Sequence, residues 1–141
     1  MVRDALQMCV PFVVLMVAAS LPASVAAEQL PAWWPAEVPV FDGATVAEVD
    51  HAEDKGLPSV DFKVPTEGQS MASIVGFYRE ALEGKGWAIS KARSTGLAHS
   101  ITATKQSIDK RVIVTAKKPG TMFNKDKNAF LLEVIVYESV P

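Results

Sequence analysis

The stretch "AFLLEVIVYE", Ala129 to Glu138, constrains the fold more than any other part of the sequence. Phe130, Leu132, Val134 and Val136 alternate onto one face of a strand, and Leu131, Ile135 and Tyr137 onto the other. A strand apolar on both faces belongs in the middle of a sheet or under cover on both sides. The chain must therefore build a sheet around this segment and find something to lay over it.

The other elements can be read in the same way. "ATVAEVDHAE" and "PSVDFKV" read as two strands joined across the turn-forming "EDKG", and Val60, Phe62 and Val64 alternate with Asp61 and Lys63 as in a strand with one wet face. "PTEGQS" breaks this strand, and Ser70 is placed to cap a helix running to about Glu83. Met71, Ile74, Val75, Tyr78, Ala81 and Leu82 form its apolar stripe, with Arg79, Glu80 and Glu83 turned away. Gly84 and Gly86 supply left-handed conformations to end the helix, and Trp87 enters a strand with Ile89 on its face, closing one end of the core. "AHSITATK" and "KRVIVTAKK" add two strands around "QSID". The expected fold is α+β: one amphipathic helix packed on a largely antiparallel sheet, in chain order β-β-α-β-β-β-β.

The succession "VPVFDGATV", a strand pair, and then "FYREALEGKGW" resembles a small domain found in exported bacterial proteins and lipoproteins, mostly without assigned function. Phe77, Tyr78, Leu82, Gly86 and Trp87 carry the resemblance at the junction of helix and strand. It implies a helix on an antiparallel sheet rather than an activity.

The N-terminus sets how much of the chain enters that fold. Residues 1–27 pass from Arg3 through the apolar "CVPFVVLMVAAS" to Pro22 and the small residues of "ASVAA", the layout of a secretory signal cleaved after Ala26 or Ala27. A retained anchor would need roughly 20 apolar residues, and this segment is barely that long and contains two prolines. Cys9 lies before the apolar run rather than directly after it, against a lipidation signal. The expectation is an exported, most simply periplasmic, protein that is soluble after cleavage. Cys9 is the only cysteine, so the mature chain has no disulfide and depends on a packed core. Residues 28–43, "EQLPAWWPAEVPVFDG", have prolines at 31, 35 and 39 and read as an extended lead-in to a single α+β domain at 44–141.

The side chains offer no catalytic set and imply no cofactor. The net charge of −2 gives no field for nucleic acid. "DHAED" (Asp50, His51, Glu53, Asp54) has hard oxygen ligands and an imidazole, but strand alternation sends Asp50 and His51 to opposite faces. His99 has no partner at metal-ligand spacing, and "SIDK" (Ser107 to Lys110) matches an acylase motif only by spacing, in what reads as a hairpin turn. Two surfaces stand out instead. Lys117, Lys118, Lys125 and Lys127 surround Met122 and Phe123 in a loop suited to a protein partner or an anionic membrane, and Trp33 and Trp34 are candidates for the same role. The function expected is a non-catalytic exported interaction module. The alternative is a carrier of a small apolar ligand, with a pocket between helix and sheet lined by Phe62, Tyr78, Trp87 and Ile135.

Overall fold

The computed structural model describes residues 30–50 and 57–137. The signal segment, the "EDKG" turn and the histidine-bearing part of "DHAED" (His51, Glu53, Asp54) lie outside the described residues. Along the chain run β1 (Thr45–Asp50), β2 (Ser59–Pro65), α1 (Met71–Glu83), β3 (Ala88–Ser94), β4 (Ala98–Lys105), a short 3-10 turn (Gln106–Ile108), β5 (Lys110–Lys117) and β6 (Ala129–Tyr137). This is the α+β architecture and chain order expected. All pairings are antiparallel, in the sheet order β1-β2-β6-β5-β4-β3. β6, last in the chain, thus inserts between β2 and β5, as its doubly apolar sequence requires.

The sheet has one dry face and one wet face. Val60, Phe62, Val64, Val112, Val114, Ala116, Leu132, Val134 and Val136 are buried on the first. Leu131, Ile135 and Tyr137 alternate onto the second, where they are half-buried among neighbours such as Asp61, Ile113 and Glu133. Both edge strands are interrupted, β1 between Val46 and Glu48 and β3 between Ile89 and Lys91. Such irregularities twist an edge away from pairing with another chain.

Two pieces cover the dry face. α1 packs over β3, β4 and β5, burying Ile74, Val75, Tyr78 and Leu82. It starts on a reciprocal cap: the Ser70 hydroxyl accepts from Ser73 N, and Ser70 N donates to the Ser73 hydroxyl. At its other end Trp87 N donates to Leu82 O at 3.0 Å and Gly86 N to Glu83 O at 3.1 Å. That is the Schellman closure, which needs its left-handed residue at Gly86 (φ +86°). Gly84, expected to be left-handed too, is right-handed at φ −62°, since the helical turn simply continues through it.

The lead-in is the second piece, and it is folded rather than extended. Successive turns close from Trp34 N to Pro31 O, Val38 N to Pro35 O and Ala44 N to Phe41 O at 3.0 to 3.1 Å. The prolines that forbid a helix start two of these turns. Trp34 sets its ring edge-on to Phe62 at 5.6 Å, and Phe41 sits edge-on to Phe77 at 5.1 Å. The seam between the two pieces is hydrogen-bonded. Phe41 N donates to the buried Tyr78 hydroxyl at 3.1 Å. Trp87 Nε1 donates to Glu37 at 2.9 Å, and Lys105 Nζ reaches both Glu37 oxygens at 2.7 and 2.8 Å and Lys85 O at 2.8 Å. The Lys105 ammonium, then the Trp87 indole, hold the Glu37 carboxyl below its usual range.

Trp87 is only 3% exposed, so it fills the core corner and ties down the lead-in with the same ring. Trp87→Ala should therefore cost about 3 to 5 kcal/mol in denaturant melts. Trp87→Phe, which keeps most of the volume and loses the indole N–H, should cost several-fold less. Equal losses would place the role of Trp87 in its hydrogen bond rather than its bulk.

Candidate functional site

The residues expected to line a pocket do not form one. Phe62 and Tyr78 are fully buried and Trp87 nearly so, all within the packed core, while Ile135 alternates onto the opposite face of the sheet. Large rings at the middle of the helix–sheet interface leave no space there. Trp33 and Trp34 are half-buried and packed against the core, with Trp34 Nε1 donating to Val38 O at 2.8 Å. They belong to the cover, which removes them from the candidate contact surface.

A cleft opens instead beside the helix, where its cover of the sheet runs out. Ala72, Val75, Gly76 and Arg79 recur at i, i+3, i+4 and i+7 and turn one flank of α1 toward β3 and β4. Ala72 and Gly76 have too little bulk to reach the edge strand. Ala92, Arg93 and Ser94 of β3 and His99, Ser100 and Ile101 of β4 complete the lining of a cleft of about 220 Å³. His99 pairs in register with Ser94 and Ala116 on the dry side of the sheet. This cleft is smaller than the roughly 300 Å³ at which sites for drug-sized molecules begin. It fits a small ligand or one end of a longer one.

The electrostatics of the lining are one-sided. Arg79, Arg93 and His99 are its ionisable residues, although Arg93, in register with Ser100 and through it with Thr115, alternates toward the wet face; the lining contains no carboxylate. Among the described residues none of the three enters an ion pair. The floor, from Val75 and Ile101, is apolar. A second depression of about 580 Å³ is lined by Gly86, Ala88, Ser90, Thr104, Lys105, Gln106, Ser107 and Arg111, but its Lys105 is already engaged by Glu37. Ser107 sits exposed on the 3-10 turn, and not at the start of a buried helix. Among the described residues no group of three or more His, Cys, Asp and Glu side chains could hold a metal ion, and no helix is long and apolar enough to cross a membrane.

Sequence reasoning passed over Ala72, Val75, Gly76, Arg79 and Ile101 as cleft residues, and treated His99 only as a metal candidate. A usable signal was present in Gly76. A glycine inside a helix costs about 1 kcal/mol relative to alanine, and this one takes part in no cap. An added Cβ there would meet nothing within 4 Å, so the space beside it is open.

The basic loop is as exposed as its sequence suggests. Met122 is 79% exposed and Phe123 52%. Lys118, Lys125 and Lys127 are exposed as well, whereas Lys117 pairs with Glu133 at 3.6 Å across the wet face of the sheet and leaves the basic set.

The comparisons with known proteins bear on the region around the cleft. The model of a START domain-like family matches residues 66–128. The match runs from before α1 through the β5–β6 loop and takes in the whole cleft lining; it spans less than half of the chain. No curated protein and no solved structure gives a significant match.

On the wet face, Glu48, Asp61, Glu133 and Thr115 stand side by side in register. Burial, then the neighbouring Glu133, pushes the Asp61 carboxyl up to about 6; Glu48 and Asp50 add to the rise and Lys117 opposes it. Its Oδ1 is buried without a hydrogen-bond partner among the described residues. A raised carboxyl favours the protonated folded state, so its contribution to stability is complete below its unfolded value and lost as pH rises through about 6. Asp61→Asn should melt above the parent at about pH 8, with the gap closing toward about pH 4. A gap that is the same at both values would mean that Asp61 carries no folding-linked proton.

Proposed function

We propose that this protein is a non-catalytic accessory module, exported by its N-terminal segment, that holds a small apolar ligand bearing an anionic group in the cleft between α1 and the β3–β4 edge. The observation that carries this reading is the cleft's lining: an apolar floor of Val75 and Ile101 flanked by Arg79 and His99, with no carboxylate among the lining residues. An apolar body is driven in by burial, at about 25 cal/mol per Å² removed from water. Charge-assisted hydrogen bonds then fix its polar end. The family match supports a ligand-binding role because it covers the elements that form the cleft.

Anilinonaphthalene sulfonate, an aromatic body with one negative charge, is a suitable probe. Its fluorescence should rise with a single saturable site. Gly76→Leu should lower its affinity at least about tenfold, because a side chain of that size occupies the cleft. The fold should keep or gain stability, since leucine favours the helix over glycine. Combining Arg79→Gln and His99→Gln should weaken binding by about tenfold, as expected for loss of a charged hydrogen bond, and should do so far less for an uncharged analogue of the probe. Unchanged affinity in Gly76→Leu would rule out the cleft as the site.

A further inference from the structure

We propose that the end of the sheet formed by the β5–β6 loop and the β3–β4 turn docks on an anionic lipid bilayer, with Met122, Phe123 and Leu97 entering the interface and Lys118, Lys125 and Lys127 meeting the headgroups. The geometry of the loop makes the case. Thr121 N donates to Asn124 O at 2.9 Å and Asn124 N to Thr121 O at 3.2 Å, so Met122 and Phe123 are the two tip residues of a miniature hairpin. Turn tips are ordinarily Gly, Asn, Asp, Ser or Pro, for reasons of backbone geometry and local hydrogen bonding. Two large apolar side chains there meet no such need, and they point to a contact outside the chain.

The tip is held in shape from behind. Asn124 is only 6% exposed, and its side-chain amide donates to Ala129 O at 2.8 Å while its Oδ1 accepts from Asp126 N at 3.2 Å. Gly120 N donates to Asp126 O at 2.9 Å and the Thr121 hydroxyl to Lys118 O at 3.0 Å. An apolar tip presented on so ordered a loop loses little conformational entropy when it is buried.

Charge selects the occupant. The one acidic residue between Lys118 and Asn128 is Asp126, and Lys63 neutralises it at 3.2 Å. Lys118, Lys125 and Lys127 enter no ion pair among the described residues. A tip bearing three lysines is complementary to a negative surface, and lysines held beside an anionic leaflet strengthen its attachment. Lys118 N donates to Leu97 O at 2.9 Å, which joins the loop to the β3–β4 turn, where Leu97 is 40% exposed. His99, Ser94 and Ala72 place the cleft at this same end of the sheet, so a docked molecule would hold its binding site next to the bilayer. Apolar groups inside a basic rim are the usual anatomy of an interfacial anchor.

A local reporter tests this in the full chain regardless of what residues 1–29 do. In a Cys9→Ser background, a polarity-sensitive fluorophore on Phe123→Cys should shift to the blue with vesicles of phosphatidylcholine and phosphatidylglycerol. It should be quenched by lipid-borne quenchers and stay unshifted with phosphatidylcholine alone. The same fluorophore on Ile108→Cys, exposed at the opposite end of the sheet, should not respond. Changing Lys118, Lys125 and Lys127 to Gln should abolish most of the shift, and about 0.5 M salt should do the same to the parent, because exposed charges are screened within a few ångströms at that strength. Met122→Ser should weaken the response at unchanged melting temperature. A fluorophore at position 123 that remains in water, responds equally to neutral vesicles, or moves together with position 108 would overturn the proposal. So would a shift obtained only with an acidic protein partner.

Discussion

The structure depends on keeping water from the dry face of one sheet. β6 lies centrally, and the side chains around it, from Val60 and Phe62 to Val112, Val114, Leu132 and Val134, are almost completely buried. No single element covers them. α1 has 13 residues, about 20 Å of helix at 1.5 Å per residue, and it packs mainly on β3, β4 and β5. The proline-rich lead-in supplies the remaining cover by resting Trp34 on Phe62. Hydrogen bonds from Phe41 to Tyr78 and from Trp87 to Glu37 hold the two pieces together. Burial is thus the driving force, while the seam specifies where the lead-in goes. Burial pushes the Tyr78 hydroxyl up, which keeps it neutral where it accepts from Phe41.

The cover also has an outer edge, beside α1 and away from the lead-in, and the cleft is found there. Tyr78 and Leu82 seal the middle of the interface, but the flank of α1 facing β3 carries Ala72 and Gly76 where bulk would be needed to seal it. β3 is mostly exposed as a result, with only Ile89 packed against the core. The same gap gathers Arg79 and His99 over Ile101 without a counter-charge. Positive charge and apolar surface then continue along that end of the sheet to Lys118, Met122 and Phe123. On the other face of the sheet Glu48, Asp61 and Glu133 stand in lateral register, with Lys117 paired to Glu133 beside them. A net charge of −2 conceals such local groupings, because composition does not say which charges stand together.

Much of the fold was legible in the sequence because its signals are local. Alternation in Phe130 to Tyr137 placed β6 at the centre, Ser70 marked the helix start, and Leu82, Gly86 and Trp87 marked its Schellman end. The lead-in was misjudged because proline forbids a helix without distinguishing an extended strand from consecutive turns. Only long-range partners, Glu37 with Lys105 and Trp87, decide between them. The site was less legible still. Phe62, Tyr78 and Trp87 are the rings a pocket would use, and a core uses the same rings; which of the two they serve is a matter of volume in three dimensions. The cleft arises from what is missing at Ala72 and Gly76, and an absence of bulk leaves almost no trace in a pattern of apolar residues. The loop was legible because Met122 and Phe123 violate the chemistry of turns, a local rule.

The most direct measurement is native mass spectrometry of the protein purified from its own host, beside Gly76→Leu prepared identically. The parent should carry a small anionic molecule that is released on denaturation, and Gly76→Leu, melting no lower than the parent, should carry none. A parent with no bound molecule, or a Gly76→Leu variant that retains the same one, would contradict a binding site between α1 and the β3–β4 edge.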